Sequence, residues 1–209
     1  MCGVSTVPRA VLFDLGGVVA HFDASGRTRR LAAASGLAAD EVERRLYGSG
    51  LVAAGDAGEL DADELRSELR RTLALPDDET VERLWLSAFT PDPPALAVLD
   101  RLAPDLPRGI LTNNDALLAR VLPARMPELF QHMDPVAFAG AIRAAKPDPT
   151  AYHRAIADWP VDPGEVLFVD DSRRNIDGAR AAGLRAELAA GAEALAAVLG
   201  AAGVLSLPH

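Results

Sequence analysis

AVLFDLGGVV, residues Ala10 to Val19, is an almost unbroken apolar run with one ionisable residue, Asp14, inside it. A carboxylate in such surroundings is costly unless something pairs with it. Two glycines, Gly16 and Gly17, follow two and three positions later. Residues 10–13 read as a short strand buried on both faces, the kind found in parallel sheets. Asp14 then stands at its carboxyl end, where open parallel sheets bind ligands.

Three later runs look alike: RGILT (108–112), VLFV (166–169) and the weaker PVAFA (135–139). Helical patterns separate them. PPALAVLDRL (93–102) puts Leu96, Leu99 and Leu102 on one stripe, and DALLARVL (115–122) gathers Leu117, Leu118, Val121 and Leu122. DPTAYHRAIADW (148–159) opens with Pro149 at a position helices tolerate, and SRRNIDGARAAG (172–183) stops at Gly183. Strands alternating with helices predict βαβ units. The expected fold is α/β, a Rossmann-like doubly wound parallel sheet.

Residues 24–89 break that rhythm, and their best segments all read as helices. DADELRSELRRTL (61–73) carries a capping box, with Asp61 followed by Glu64. DDETVERLWLSAF (77–89) places Val81, Leu84, Trp85, Ala88 and Phe89 on one face. DEVERRLYG (40–48), with Asp40 as its cap, and SGRTRRLAAASG (25–36) are shorter helices. An α-helical cap over residues 20–89, inserted into a core of 1–19 and 90–209, is the predicted organisation. The Ala-rich stretch 189–203 reads as a final surface helix.

The 209 residues are 49% hydrophobic and carry a net charge of −9. That suits one compact domain with a modest insertion and argues against nucleic acid or an anionic membrane as a partner. The single cysteine, Cys2, forms no disulfide framework within a chain, which favours a reducing compartment. No segment has the apolar length of a membrane span, and Pro8 and Arg9 precede the first run where a signal peptide would need a different pattern. A cytoplasmic monomer or homodimer is expected.

The strand ends collect the chemistry. The first is followed by Asp14, the second ends in Thr112 with Asn113 and Asn114, and another ends in Asp170 and Asp171. Lys146 stands in AAKPDP between them. Three carboxylates, a hydroxyl and an ammonium at one sheet edge can bind Mg²⁺ through oxygen ligands and offer Asp14 as a nucleophile. His132 and His153 have no partner pattern and read as structural or exposed. Trp85 and Phe89 read as packing. The arginine clusters at 27–30 and 70–71 read as solvated helix faces, with one arginine long enough to reach a substrate.

FDLGGVV, ILTNN, KPDPTAY and VLFVDDSRRNIDGARAAG, in that order, resemble the four motifs of the haloacid dehalogenase-like hydrolase superfamily. The resemblance spans nearly the whole chain. It is strongest to the capped phosphatase branch, which includes α-glucose-1-phosphate phosphatases and the phosphatase domain of soluble epoxide hydrolase. The resemblance implies a Mg²⁺-dependent phosphatase acting on a small-molecule phosphate ester through an aspartyl phosphate on Asp14. It implies that Thr112, Asn113, Gly16 and Lys146 bind the phosphoryl group, and that Thr112 and Lys146 act with Asp14 in catalysis. Asp14, the Gly16 carbonyl and Asp171 would bind the metal, with Asp170 a second or water-mediated ligand and Asn175 orienting the metal loop.

One departure stands out. Many family phosphatases carry an acid–base Asp two residues after the nucleophile, where this chain has Gly16. His21 and Asp23 are the nearby substitutes. A 2-haloacid dehalogenase would share the Asp nucleophile without needing that acid, although paired Asp170 and Asp171 argue for a metal that its chemistry does not require. A non-catalytic binding module on the same scaffold is the other alternative.

Overall fold

The computed structural model describes residues 7–206, so Cys2 lies outside the described residues. Five strands form one parallel sheet: β1 (Ala10–Phe13), β4 (Arg108–Thr112), β5 (Val136–Phe138), β6 (Val166–Asp170) and β7 (Arg185–Leu188). Their spatial order is β5-β4-β1-β6-β7, with β1 at the centre. The chain builds outward from β1 to one side, then returns to build the other. The order therefore reverses between β1 and β6, where crevices form in such sheets.

Side chains of β1 alternate between two cores. Val11 and Phe13 join the cluster that includes Leu117, Leu118, Leu195 and Leu199. Ala10 and Leu12 join the other, with Tyr152, Phe168, Ile176 and Ala179. The helices on the two faces are α6 (Pro93–Leu99), α7 (Ala116–Arg125) and α11 (Gly191–Ala201) against α9 (Pro149–Ala155) and α10 (Arg173–Ala181). Four residues, α8 (Ala139–Ile142), follow β5. Double burial explains why β1 reads as a continuous apolar run. β7 is an edge strand in which only Ala186 is fully buried, so it has no such run and escaped the sequence reading.

Between β1 and α6 the chain leaves and re-enters the core through a small antiparallel ribbon, β2 (Ala20–Phe22) against β3 (Phe89–Pro91). The residues between these strands form only helices: α1 (Ala24–Ser35), α2 (Ala39–Glu43) with a π-helical turn over Arg44–Gly48, α3 (Leu51–Ala57), α4 (Ala62–Leu73) and α5 (Asp78–Trp85). The capping box of α4 is formed: Asp61 Oδ1 accepts from the Asp63 and Glu64 amides, and Glu64 accepts from the Asp61 amide. Asp40 does not cap α2, whose N-cap is Ala38, and α3 was absent from the sequence reading. Leu65, Leu69, Leu73 and Trp85 share one apolar cluster with Leu117 and Leu118 of the sheet domain. The insertion is thus packed onto the core. No helix among the described residues is long and apolar enough to cross a membrane.

Candidate active site

Lys146 is the only lysine of the chain, against 20 arginines (21 Lys and Arg in all, less one). It is 4% exposed. Its Nζ donates to Asp14 Oδ1 and to Asp170 Oδ2, each at 2.7 Å. A compact ammonium fits between two carboxylates where the flat guanidinium fork would not. Asn113 holds the segment: its Nδ2 donates to the Lys146 carbonyl and its Oδ1 accepts from the Lys146 amide, both at 2.8 Å. The Asn113 side chain is thus committed to Lys146.

Asp170 is fully buried and saturated. It accepts from Lys146 Nζ, from the Ser172 amide at 2.8 Å, and through both oxygens from Asn175 Nδ2 at 3.1 and 3.0 Å. An ionised carboxylate has about four lone-pair sites, and all are engaged here. Asn175 is itself anchored, because the Tyr152 hydroxyl donates to its carbonyl at 2.7 Å. Asp171 faces solvent instead. Asp14, Asp170 and Asp171 each offer an oxygen, and these lie within 4.8 Å of one another.

Burial pushes the Asp14 carboxyl above its ordinary range; Lys146 pulls it back and the like charge of Asp170 pushes it up further. Asp171 is raised in the same way, by burial and then by Asp170, with Lys146 opposing. Three carboxylates against one ammonium leave excess negative charge, which a cation relieves.

The two glycines do different work. Gly17 has φ +82°, and a Cβ there would come within 2.2 Å of Asp171 Oδ2. Only glycine lets the chain turn beneath that carboxylate. Gly16 has no such φ, and its Cβ would meet only the Phe22 side chain, at 3.1 Å. Both line a pocket of about 290 Å³ with Asp14, Thr112, Lys146 and Asp171. Thr112 is 1% exposed and its Oγ1 accepts from Asn114 Nδ2 at 2.6 Å. Asn114 and Phe22 line the pocket too, and neither was assigned a role from sequence. The structure therefore brings together Asp14, Gly16, Thr112, Asn113, Lys146, Asp170, Asp171 and Asn175. It does not bring in the substitutes for the missing acid. His21 is exposed and lies 3.8 Å from Asp92, while Asp23 caps α1 by accepting from the Gly26 amide at 2.7 Å. His153 Nε2 lies 2.9 Å from the Ala182 carbonyl, a structural contact.

The reading of residues 27–30 needs correction. Arg29 and Arg30 are exposed, but Arg27 is buried, 4% exposed. Its guanidinium lies 4.0 Å from the Trp85 ring centroid and 5.7 Å from that of Phe22. Its Nη2 donates to the Tyr47 hydroxyl at 2.8 Å. The reason was visible in the spacing: Arg27 shares with Leu31 the i, i+4 stripe that α1 buries. Nearby, Asp115 caps α7 through the Leu118 amide and accepts from Trp85 Nε1, both at 2.8 Å. Burial raises Asp115. Asp56, on α3, is pushed up to about 7 by burial and then by Asp115, with Arg27 opposing.

The profile of the haloacid dehalogenase-like hydrolase family matches residues 8–183. A Mycobacterium tuberculosis protein named as a phosphatase is 36% identical over 189 residues, covering 86% of each chain. A haloacid dehalogenase family enzyme from Bacteroides thetaiotaomicron, solved with magnesium and inorganic phosphate, has a similar fold (TM-score 0.72, 23% identity, 87% of this chain and 94% of that one). L-2-haloacid dehalogenase from Xanthobacter autotrophicus matches with TM-score 0.62 and 27% identity, over 94% of this chain and 84% of that one.

Proposed function

Since this chain belongs to the haloacid dehalogenase-like hydrolase family, we propose that it is a Mg²⁺-dependent phosphatase of small phosphate monoesters, with Asp14 as nucleophile. The observation that carries this reading is the Lys146 bridge from Asp14 to Asp170, with Asp171 beside it. The donor set fits a hard divalent cation: carboxylate oxygens close together, with Asp171 exposed. Asp14, Asp171 and the Gly16 carbonyl would hold it, with Asp170 reaching it through water at most, because its lone pairs are taken. The bound ion would offset charge on the transferring phosphoryl group.

The residues divide the remaining work. Lys146 holds Oδ1 of Asp14, while Oδ2 makes no side-chain hydrogen bond among the described residues. That oxygen attacks phosphorus, and the ester P–O bond breaks to give an aspartyl phosphate and the alcohol. Thr112 and the backbone around Asn113 bind phosphoryl oxygens, and Lys146 balances their charge. Water then hydrolyses the acyl phosphate and regenerates Asp14. Gly16 supplies no proton, so the departing oxygen takes its proton from water. Phosphoryl transfer depends chiefly on such positioning and charge compensation. The helical insertion, residues 20–89, acts as a cap over this pocket.

Hydrolysis of a phosphate-ester panel with and without Mg²⁺ tests the proposal. EDTA should abolish turnover, Mg²⁺ should restore it, and Asp14→Asn should lower it by more than about 10³-fold. Full activity in Asp14→Asn, or turnover of 2-haloacids rather than phosphate esters in EDTA, would overturn it.

A further inference from the structure

Beside the strand-end pocket lies a second cleft of about 220 Å³, sharing Phe22, Asn113 and Asn114 with it. That is the volume of about seven waters at roughly 30 Å³ each. The helical insertion supplies most of its walls, including Arg27, Val52, Asp56 and Trp85. The three shared residues make the two spaces neighbours.

Arg27 is poorly explained as a structural residue. It is buried, yet no carboxylate oxygen lies within 4.0 Å of it among the described residues. A guanidinium has five N–H donors. Only Nη2 is engaged, and Nε is buried without a partner. Asp56 and Asp115 sense its charge but do not bond it. Stacking on Trp85 holds the guanidinium plane in place without using its donors. An unsatisfied buried donor is costly, and binding an acceptor removes the cost.

The surroundings narrow the acceptor. A carboxylate or second phosphate would meet Arg27 but also Asp56, which repels an anion once it ionises above about 7. An apolar alcohol would leave the Arg27 donors unpaired. A hydroxyl accepts from Arg27 and donates to Asp56 at once. Phe22, 45% exposed, offers apolar surface suited to the carbon skeleton.

We propose that this cleft holds the alcohol part of the substrate and that Arg27 determines specificity, selecting phosphate monoesters of small polyhydroxylated alcohols. The proposal rests on the phosphatase reading above.

The test is a series of propyl, propanediol, glycerol and hexitol phosphates, which adds hydroxyls to a common phosphate. In the wild type kcat/KM should climb along the series. In Arg27→Met the hexitol-to-propyl ratio should fall about 10- to 100-fold, mostly through KM. Inhibition by inorganic phosphate reports whether the phosphate pocket remains formed. Should Arg27→Met misfold, Val52→Phe fills the same cleft from another wall and should lower the same ratio. A wild type that treats the series alike, an Arg27→Met protein that keeps the hydroxyl preference, or a stronger preference for carboxylated esters would overturn the proposal. Failure of the phosphatase reading looks different: no ester in the series is hydrolysed.

Discussion

Lys146 and Arg27 are both 4% exposed, yet one is held by carboxylates and the other by aromatic rings. Lys146 meets Asp14 and Asp170 at 2.7 Å each. Arg27 meets one phenol and lies over Trp85 and Phe22. At the strand ends the ammonium is paired in place by two carboxylates, so its donors are committed. In the insertion cleft the cation is oriented without being paired, so its donors stay available. The first arrangement suits chemistry that is the same for every substrate. The second suits recognition of a part that varies.

The contrast breaks most visibly in stability. Lys146→Met leaves two buried carboxylates facing each other and should cost about 3–5 kcal/mol in urea denaturation. Arg27→Met removes stacking and one hydrogen bond, and should cost no more than about 1–2 kcal/mol. Equal costs would make Arg27 a structural cation and erase the difference.

The cleft also carries a pH signature of its own, set by Asp56. Asp56 rises from an ordinary 3.8 to about 7 on folding. The folded state therefore holds a proton that the unfolded state has lost, and stability falls as pH climbs from about 4 to 7. Asp56→Asn removes this loss. It should be more stable than the wild type by of order 1–3 kcal/mol at pH 8 and by less at pH 5. A pH-independent difference would show that Asp56 does not titrate in this range.

The finest comparison lies within one turn. Gly17→Ala puts a methyl against Asp171 at positive φ and should cost about 1–2 kcal/mol while weakening Mg²⁺ binding. Gly16→Ala meets only Phe22, which is 45% exposed and able to shift, and should cost less than about 1 kcal/mol. Melting curves with and without Mg²⁺ separate the two. Similar losses would mean that the turn is crowded on both sides.

The strand ends were legible because buried parallel strands write themselves as apolar runs, and the polar residue that stops a run is placed by the sheet. Asp14, Thr112 and Asp170 were found that way. Lys146 was found by its place in AAKPDP between two strand ends. β7 was not legible, since an edge strand needs no apolar run, and neither was α3, a short helix between glycines 50 and 58. Arg27 was misread because charge suggested solvent, although its i, i+4 relation to Leu31 pointed inward.

By itself the sequence determined the α/β class, the strand ends and the residues that meet there, because backbone periodicity and local turn chemistry act over a few residues. Only the tertiary structure decided that Asp170 is saturated, that Asp171 lies over Gly17, and that Arg27, Asp56 and Asp115 share one cleft. Those facts depend on helices from distant parts of the chain packing together. Burial, which sets the cost of a charge and the value of its partner, is a property of that packing and of no single segment.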